Sequence, residues 1–205
     1  MANQARAKTS PIQGHSAFMN IEAASSPAPD GGSVGVVMSE LTHQGKLNIR
    51  CDENLHKKLT KLAGIETNLD NNRFASTKSR YAIWLSPDEI LVLTGAGEEG
   101  ELAAQITATA KGDHMAVNDI TDAMTSLHLT GSSVRQMLAK GCAIDLHKDH
   151  FKAGDCAQTT LSHAGITLLA LGDDEMILLC RTSFTDYVVT YLCDAALEYG
   201  FTLKA

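Results

Sequence analysis

The chain lacks the features by which many functions announce themselves. No CxxC pair occurs among its five cysteines, Cys51, Cys142, Cys156, Cys180 and Cys193. Widely spaced and odd in number, they indicate neither a zinc ribbon nor a disulfide framework, and they suit a reducing compartment. A basic excess is missing too: 17 basic against 24 acidic residues give a formal net charge of −7. That balance argues against binding a phosphate backbone, which needs a basic stripe and gains affinity by counterion release. Nor does any apolar run approach the ~20 residues needed to cross a bilayer. The opening MANQARAKTSPIQGHS has no continuous apolar segment of the kind a secretory signal carries. These absences predict a soluble, cytoplasmic protein with no nucleic-acid or membrane partner.

What is present is a repeat. Ile83–Ala110, IWLSPDEILVLTGAGEEGELAAQITATA, aligns without a gap to Leu169–Ala196, LALGDDEMILLCRTSFTDYVVTYLCDAA. Each copy reads as an apolar strand, an acidic turn (Pro87-Asp88-Glu89; Asp173-Asp174-Glu175), a second apolar strand and an amphipathic helix. Upstream, Lys46–Arg50 alternates like a strand with Leu47 and Ile49 on one face. A helix follows over Glu53–Leu62, with Asp52 as its cap and Gly64 at its end. The second half repeats that order. Leu127 and Leu129 mark a strand over Ala123–Thr130, and a helix runs from Ser132 or Ser133 through Leu138. Strands at Cys156–Ser162, Ile166–Leu171 and Met176–Arg181 follow, then a helix over Thr185–Tyr199 with Gly200 as C-cap. Asn68–Arg80 and Lys111–Asn118 read as polar connections.

The expected fold class is therefore α+β: two related β-α-β-β-α units, 41–112 and 119–200, each with antiparallel strands and helices on one face. The two units would share a core within a single domain spanning 41–205. Residues 1–40, rich in Ala, Ser, Gly, Pro and Gln, are expected to be a tail, or an arm ordered by a partner through Phe18, Met19 and Ile21. The body would begin near Val34 or Leu41.

One motif points toward an enzyme. Gly95-Ala96-Gly97-Glu98-Glu99-Gly100 matches G-x-G-x-x-G after a strand and before a helix, with Asp113 near the position of a ribose-binding acid. Physics argues against it. Glu98 and Glu99 occupy the positive helix end where a pyrophosphate would sit. The preceding hairpin turn makes the strand antiparallel, and the sister copy has Arg181-Thr182-Ser183 in place of the glycines.

Other candidates have plainer readings. His147 and His150 with Cys156 form a metal set only if they converge; a solvated loop is the simpler view. No local motif supports a Cys–His nucleophile, and Cys180 and Cys193 sit in apolar contexts typical of buried thiols. His56, Lys57, Lys58 and Lys61 make one helix side basic, a solvated face or a dock for an acidic partner that His43, Lys46 and Arg50 would extend. Asp119 and Asp122 are paired acids, with Asp122 expected to serve a turn or stay exposed. Arg181 ends an apolar strand, where it contacts a partner or a carboxylate ligand, or more simply neutralises Asp186. Trp84 and Tyr81 lie beside Ile83, with burial of the Trp-bearing face favoured over an interface.

Taken together, several segments resemble a known family. Asp119-Ile120-Thr121-Asp122, Leu127-His128-Leu129-Thr130-Gly131 through Leu138, Ile144-Asp145-Leu146, Phe151-Lys152-Ala153-Gly154, Arg181-Thr182-Ser183-Phe184 and Trp84-Leu85-Ser86-Pro87-Asp88-Glu89 resemble the gamma subunits of heterotetrameric bacterial sarcosine oxidases. The resemblance covers most of Leu41–Tyr199. It implies a fold related to the folate-binding modules of aminomethyltransferases. It also implies a place in a complex that oxidises sarcosine to glycine, yielding hydrogen peroxide and either formaldehyde or 5,10-methylenetetrahydrofolate. FAD, FMN, NAD and zinc would lie on the partner alpha, beta and delta subunits, with alpha the chief contact. The resemblance carries no catalytic, cofactor-binding or metal-binding residue onto this chain, and implies a role in assembly and on the folate side of the complex. The alternative is a stand-alone folate or one-carbon-binding protein or enzyme.

The glycine motif yields a direct test. NAD titrated into the chain should give no binding, and Glu98→Gln with Glu99→Gln should leave nothing to alter. NAD affinity that responds to the double substitution would restore the nucleotide reading.

Overall fold

The computed structural model describes residues 15–29, 31–52, 55–110 and 112–204. Its strands and helices are, in chain order, β1 Ala24–Ser26, β2 Val36–Glu40, β3 Gly45–Cys51, α1 His56–Ala63, β4 Phe74–Ser76, β5 Tyr81–Ser86, β6 Glu89–Thr94, α2 Glu99–Thr109, β7 Met115–Asp119, β8 Met124–Thr130, α3 Val134–Ala139, β9 Cys156–Leu161, β10 Ala164–Ala170, β11 Glu175–Arg181, α4 Thr185–Ala196 and β12 Phe201–Lys204. Among the described residues the strands form a five-stranded sheet, β4-β5-β6-β3-β7, and a seven-stranded sheet, β1-β12-β2-β8-β11-β10-β9. Every pairing is antiparallel except β12 with β2. This is the α+β class that the sequence predicts.

The central strands explain the layering. β6 and β11 are apolar at nearly every position, without the alternation of a half-exposed strand, so both faces must be covered. Ile90 and Val92 pack outward with Leu59 of α1 and Leu102 and Ile106 of α2. Leu91 and Leu93, one residue out of phase, pack inward with Ile177 and Leu179 of β11 and Leu169 of β10. On the other sheet Met176 and Leu178 face Val134 and Met137 of α3 and Val188 and Leu192 of α4. The two sheets thus meet through their inner faces, and each carries its helices outside.

The halves are not simple neighbours. β2 belongs to the seven-stranded sheet yet leads directly into β3 of the five-stranded one, and β7 of the five-stranded sheet leads into β8 of the seven-stranded one. Registers show that these strands correspond: Leu47 pairs with Asp119 as Leu127 pairs with Glu40. Each half therefore lends its first strand to the other's sheet. Met115–Asp119, expected within a polar connection, is that lent strand. It is a short sheet edge without an apolar run, so its sequence reads as a linker. Phe74–Ser76, another short edge, went unread for the same reason, and Phe201–Lys204, an interior strand of four residues between β1 and β2, is too short to show a periodicity.

The expectation of a tail through residue 40 fails for residues 15–29 and 31–40; residues 1–14 lie outside the described residues. β2 is an interior strand, and β1 pairs with β12. Phe18 is 4% exposed in the outer core of the seven-stranded sheet, and Ile21 packs against it, whereas Met19 points to solvent. Ala17 donates its N–H to Glu40 Oε1 at 3.2 Å. Gly200, at φ 69°, ends the last helical turn, and a Cβ there would lie 2.5 Å from the Ala28 nitrogen. A segment poor in apolar residues docks because a few of them are well placed. At α1 the Asp52 side chain makes no cap hydrogen bond to a described residue; its carbonyl accepts the Leu55 N–H at 2.8 Å.

Phe18→Ala should lower the unfolding free energy by roughly 3 kcal/mol, the cost of emptying an aromatic core site. Met19→Ala should stay within roughly 0.5 kcal/mol. Urea denaturation of both variants checks this; equal, negligible effects would restore the tail.

Candidate functional site at the crossing of the lent strands

Where the two halves exchange strands, two connections run side by side: 41–44 between β2 and β3, and 120–123 between β7 and β8. Each is tied to the strand the other leads into. The Leu41 N–H donates to the Ser126 carbonyl at 2.8 Å, and the Ile120 N–H to the Lys46 carbonyl at 2.9 Å. Thr121 adds a hydroxyl that accepts the Lys46 N–H at 3.0 Å. Beneath them is a cleft of about 290 Å³ whose walls include Glu40, His43, Lys46, Asp122 and Ser126, with Ser16 and Ala17 across one side.

Lys46 is the chemical centre of this cleft. It is 3% exposed, and its ammonium donates to the Gln44 carbonyl at 2.7 Å. Burial pulls its pKa below the ordinary lysine value, opposed by Glu40, Asp122, Glu99 and Asp119. Ser126 stands at the corresponding position of the other half; its Oγ is buried without a hydrogen-bond partner among the described residues. The crossing segments are held together through the backbone groups of Lys46 and Ser126 and the Thr121 hydroxyl, while the buried ammonium bonds the Gln44 carbonyl of its own connection. The acidic turns also acquire a role. Glu89 accepts from Asn48 Nδ2 at 2.6 Å, and Glu175 meets His128 Nε2 at 2.7 Å. Asn48 and His128 correspond, as do the two glutamates, so each sheet closes its inner face with a matched polar pair.

The glycine motif is local turn chemistry. β6 is antiparallel to both neighbours, so it opens no βαβ unit of adjacent parallel strands. Gly97 adopts φ 79°, and a Cβ on Gly95 would lie 2.8 Å from Glu98 Oε1. Glu98 pairs with Arg80 at 3.0 Å and Asp113 with Lys58 at 3.0 Å. His147 and His150 lie near each other, ring centroids 5.8 Å apart, and contact Asp149 and Asp145. Cys156 is instead buried between the sheets, 3.6 Å from the Trp84 carbonyl. No three metal-ligating side chains converge among the described residues.

Burial pushes the Cys51 and Cys180 thiols up to about 11 and Cys156 up to about 12. They are protonated at neutral pH and poor nucleophiles. The basic helix face is divided: His56 is buried, Lys58 is ion-paired and Lys61 is exposed, with the Lys57 side chain outside the described residues. Its extension fails as well, since Lys46 is buried and Arg50 pairs with Glu89 at 2.8 Å. Asp122 stays exposed in a 3-10 turn, as expected. Tyr81 shares the inner face with Ile83, and Trp84 is half-buried on the opposite one. Arg181 makes no ion pair with Asp186 or any other described residue, a correction to its simplest reading. Sequence reasoning missed the burial of Lys46 and Ser126. Their alternation with Leu47 and Leu127 was visible, but nothing in it marks that face as the inner one.

The lysine supplies a pH test. Its pKa is lower folded than unfolded, so the unfolded chain binds the proton more strongly. Between the folded value and the ordinary 10.5, stability therefore rises with pH. The offset in urea midpoint between wild type and Lys46→Met should move in favour of wild type from neutral pH toward 10.5. Movement the other way would mean that the carboxylates outweigh burial.

Comparison with known proteins agrees with this architecture. The family described as sarcosine oxidase, gamma subunit family, matches residues 50–198. The sarcosine oxidase subunit gamma of Corynebacterium sp. (strain P-1) is 33% identical over 125 residues, 61% of this chain and 61% of that relative, so the match spans about three-fifths of the relative's length. Among solved structures, a chain of the heterotetrameric sarcosine oxidase from Corynebacterium sp. U-96, in complex with pyrrole 2-carboxylate, superposes with TM-score 0.80 at 23% identity, covering 90% of this chain and 95% of that one. The glycine cleavage system aminomethyltransferase T from Bartonella henselae has the same fold at TM-score 0.62 and 11% identity, over 83% of this chain and 48% of that one. With the family match extending from β3 through the last turn after α4, the chain belongs to the sarcosine oxidase gamma subunit family.

Proposed function

We propose that this chain is the non-catalytic gamma subunit of a cytoplasmic sarcosine oxidase complex. The complex oxidises sarcosine to glycine and yields hydrogen peroxide with formaldehyde or 5,10-methylenetetrahydrofolate. The chain serves assembly and the folate side of that complex. Its partners are the alpha, beta and delta subunits, chiefly the large alpha subunit, and FAD, FMN, NAD and zinc reside on those partners. Family membership over residues 50–198 is the observation that carries this reading.

The chemistry of the chain supports a non-catalytic role. Its buried thiols are held protonated by burial, and its buried lysine gives its ammonium to the Gln44 carbonyl. No helix among the described residues is long and apolar enough to cross a membrane. A second reading, a stand-alone folate or one-carbon-binding protein, draws on the fold likeness to aminomethyltransferase T.

Expressed with its three partner chains, the protein should co-purify with them, and omitting it should lower the thermal stability of the complex or its rate of sarcosine oxidation. An assembled complex undiminished in both without this chain would overturn the proposal. Calorimetric titration of tetrahydrofolate into the isolated chain should give no heat; micromolar binding would favour the second reading.

A further inference from the structure

The duplication breaks at one place. At one end of the gap between the sheets, Tyr81 packs beside Phe74, ring centroids 6.2 Å apart, against the inner core. Tyr81 pairs with Leu93 as Thr167 pairs with Leu179, so Thr167 takes the corresponding position at the other end. A threonine cannot fill the space of a tyrosine. Gly165 precedes it on the same face of β10, and nothing lies within 4 Å of the position its Cβ would take. That end of the gap is open, a cleft of about 620 Å³ with Leu85, Leu91 and Met124 among its apolar walls.

Two polar groups in this cleft have no hydrogen-bond or ion-pair partner among the described residues. Thr167 is 7% exposed, and its hydroxyl makes no hydrogen bond among the described residues. Arg181, on the inner face of β11 beside Leu179, stands where the sister copy has Gly95, and no described residue meets its guanidinium. The carboxylate in the cleft, Glu89, is engaged by Asn48 and Arg50. Positive charge therefore remains uncompensated at the mouth of an apolar slot.

We propose that this cleft binds a small aromatic carboxylate, its ring between the sheets where the other end holds tyrosine, its carboxylate on Arg181. A guanidinium suits a carboxylate through paired N–H donors, and the Thr167 hydroxyl supplies a further donor within the slot. Such a site, apolar with a few placed polar groups, has the form of a small-molecule pocket. Oxidase assembly is not required for it, so the inference stands or falls apart from the proposed function.

The test is calorimetry on the full chain with 2-naphthoate and its uncharged isostere 2-naphthamide. Naphthoate should bind in the millimolar range or tighter, and the amide about tenfold more weakly. Arg181→Gln, at an exposed side chain, should weaken naphthoate about tenfold without shifting the thermal midpoint. Thr167→Tyr, which restores the sister copy's plug, should abolish binding of both ligands, with circular dichroism confirming the fold. No heat from naphthoate at millimolar concentration overturns the proposal. Equal affinity for acid and amide, or binding untouched by Arg181→Gln, does so as well.

Discussion

The exchange of first strands between the two halves is the constraint on which the remaining structure depends. β2 lies between β8 and β12, so removing it would unpair both neighbours. β7 likewise supplies an edge that β3 needs. Neither half can complete its own sheet, and lone sheets of this kind expose backbone groups that must be paired. The exchange also forces two connections to pass each other at close range. Their mutual hydrogen bonds to the Ser126 and Lys46 carbonyls follow from that geometry. Lys46 is buried because a second layer of chain crosses above it, and the surrounding carboxylates offset part of its desolvation.

A second constraint comes from the inner faces. Once β6 and β11 are covered on both sides, a polar residue pointing inward carries a cost unless it finds a partner or sits at a mouth of the gap, and the Ser126 hydroxyl bears that cost. Asn48 with Glu89 and His128 with Glu175 meet that demand at matching positions. The acidic turns are thus part of the closure of the sandwich, which explains why both copies carry a glutamate at the start of the strand. The helix-side matches follow the same logic: Leu102 and Ile106 of α2 occupy the places of Val188 and Leu192 of α4.

Much of this was legible in the residues. The repeat disclosed the hairpins and the helices after them, because runs such as Ile90–Leu93 and Met176–Cys180 carry a strong local signal. The lent strands were not legible. Met115–Asp119 is a short edge whose partner lies in the other half, and no periodicity within five residues announces a long-range pairing. The arm was misjudged on composition, since Phe18 anchors it through one well-placed ring that an average does not register. Lys46, Asn48 and Ser126 alternate correctly with their apolar neighbours, yet alternation cannot say whether the polar face meets water or a second sheet. The family resemblance reached further because its motifs, such as the Arg181-Thr182-Ser183-Phe184 turn, combine positions that local rules treat separately.

Where two copies of a scaffold agree, the shared residues answer to the fold; where they differ, the fold has released the position. Gly95 is confined by the Glu98 side chain that curls over it. Its counterpart Arg181 has no such neighbour and is long enough to reach the mouth of the gap. Thr185 replaces Glu99 and is buried in a hydroxyl contact with Thr125 at 2.8 Å, so the start of α4 is closed internally, whereas Glu99 leans over Gly45. Stability does not require Thr167 to be small, since a tyrosine fits the same register in the sister copy. A cavity that the duplicated scaffold can fill, and does fill at one end, carries a cost in lost contact that the other end accepts. Any ligand-binding specialisation of this duplicated scaffold belongs at that end of the gap, where packing has been relaxed and charge left unmatched.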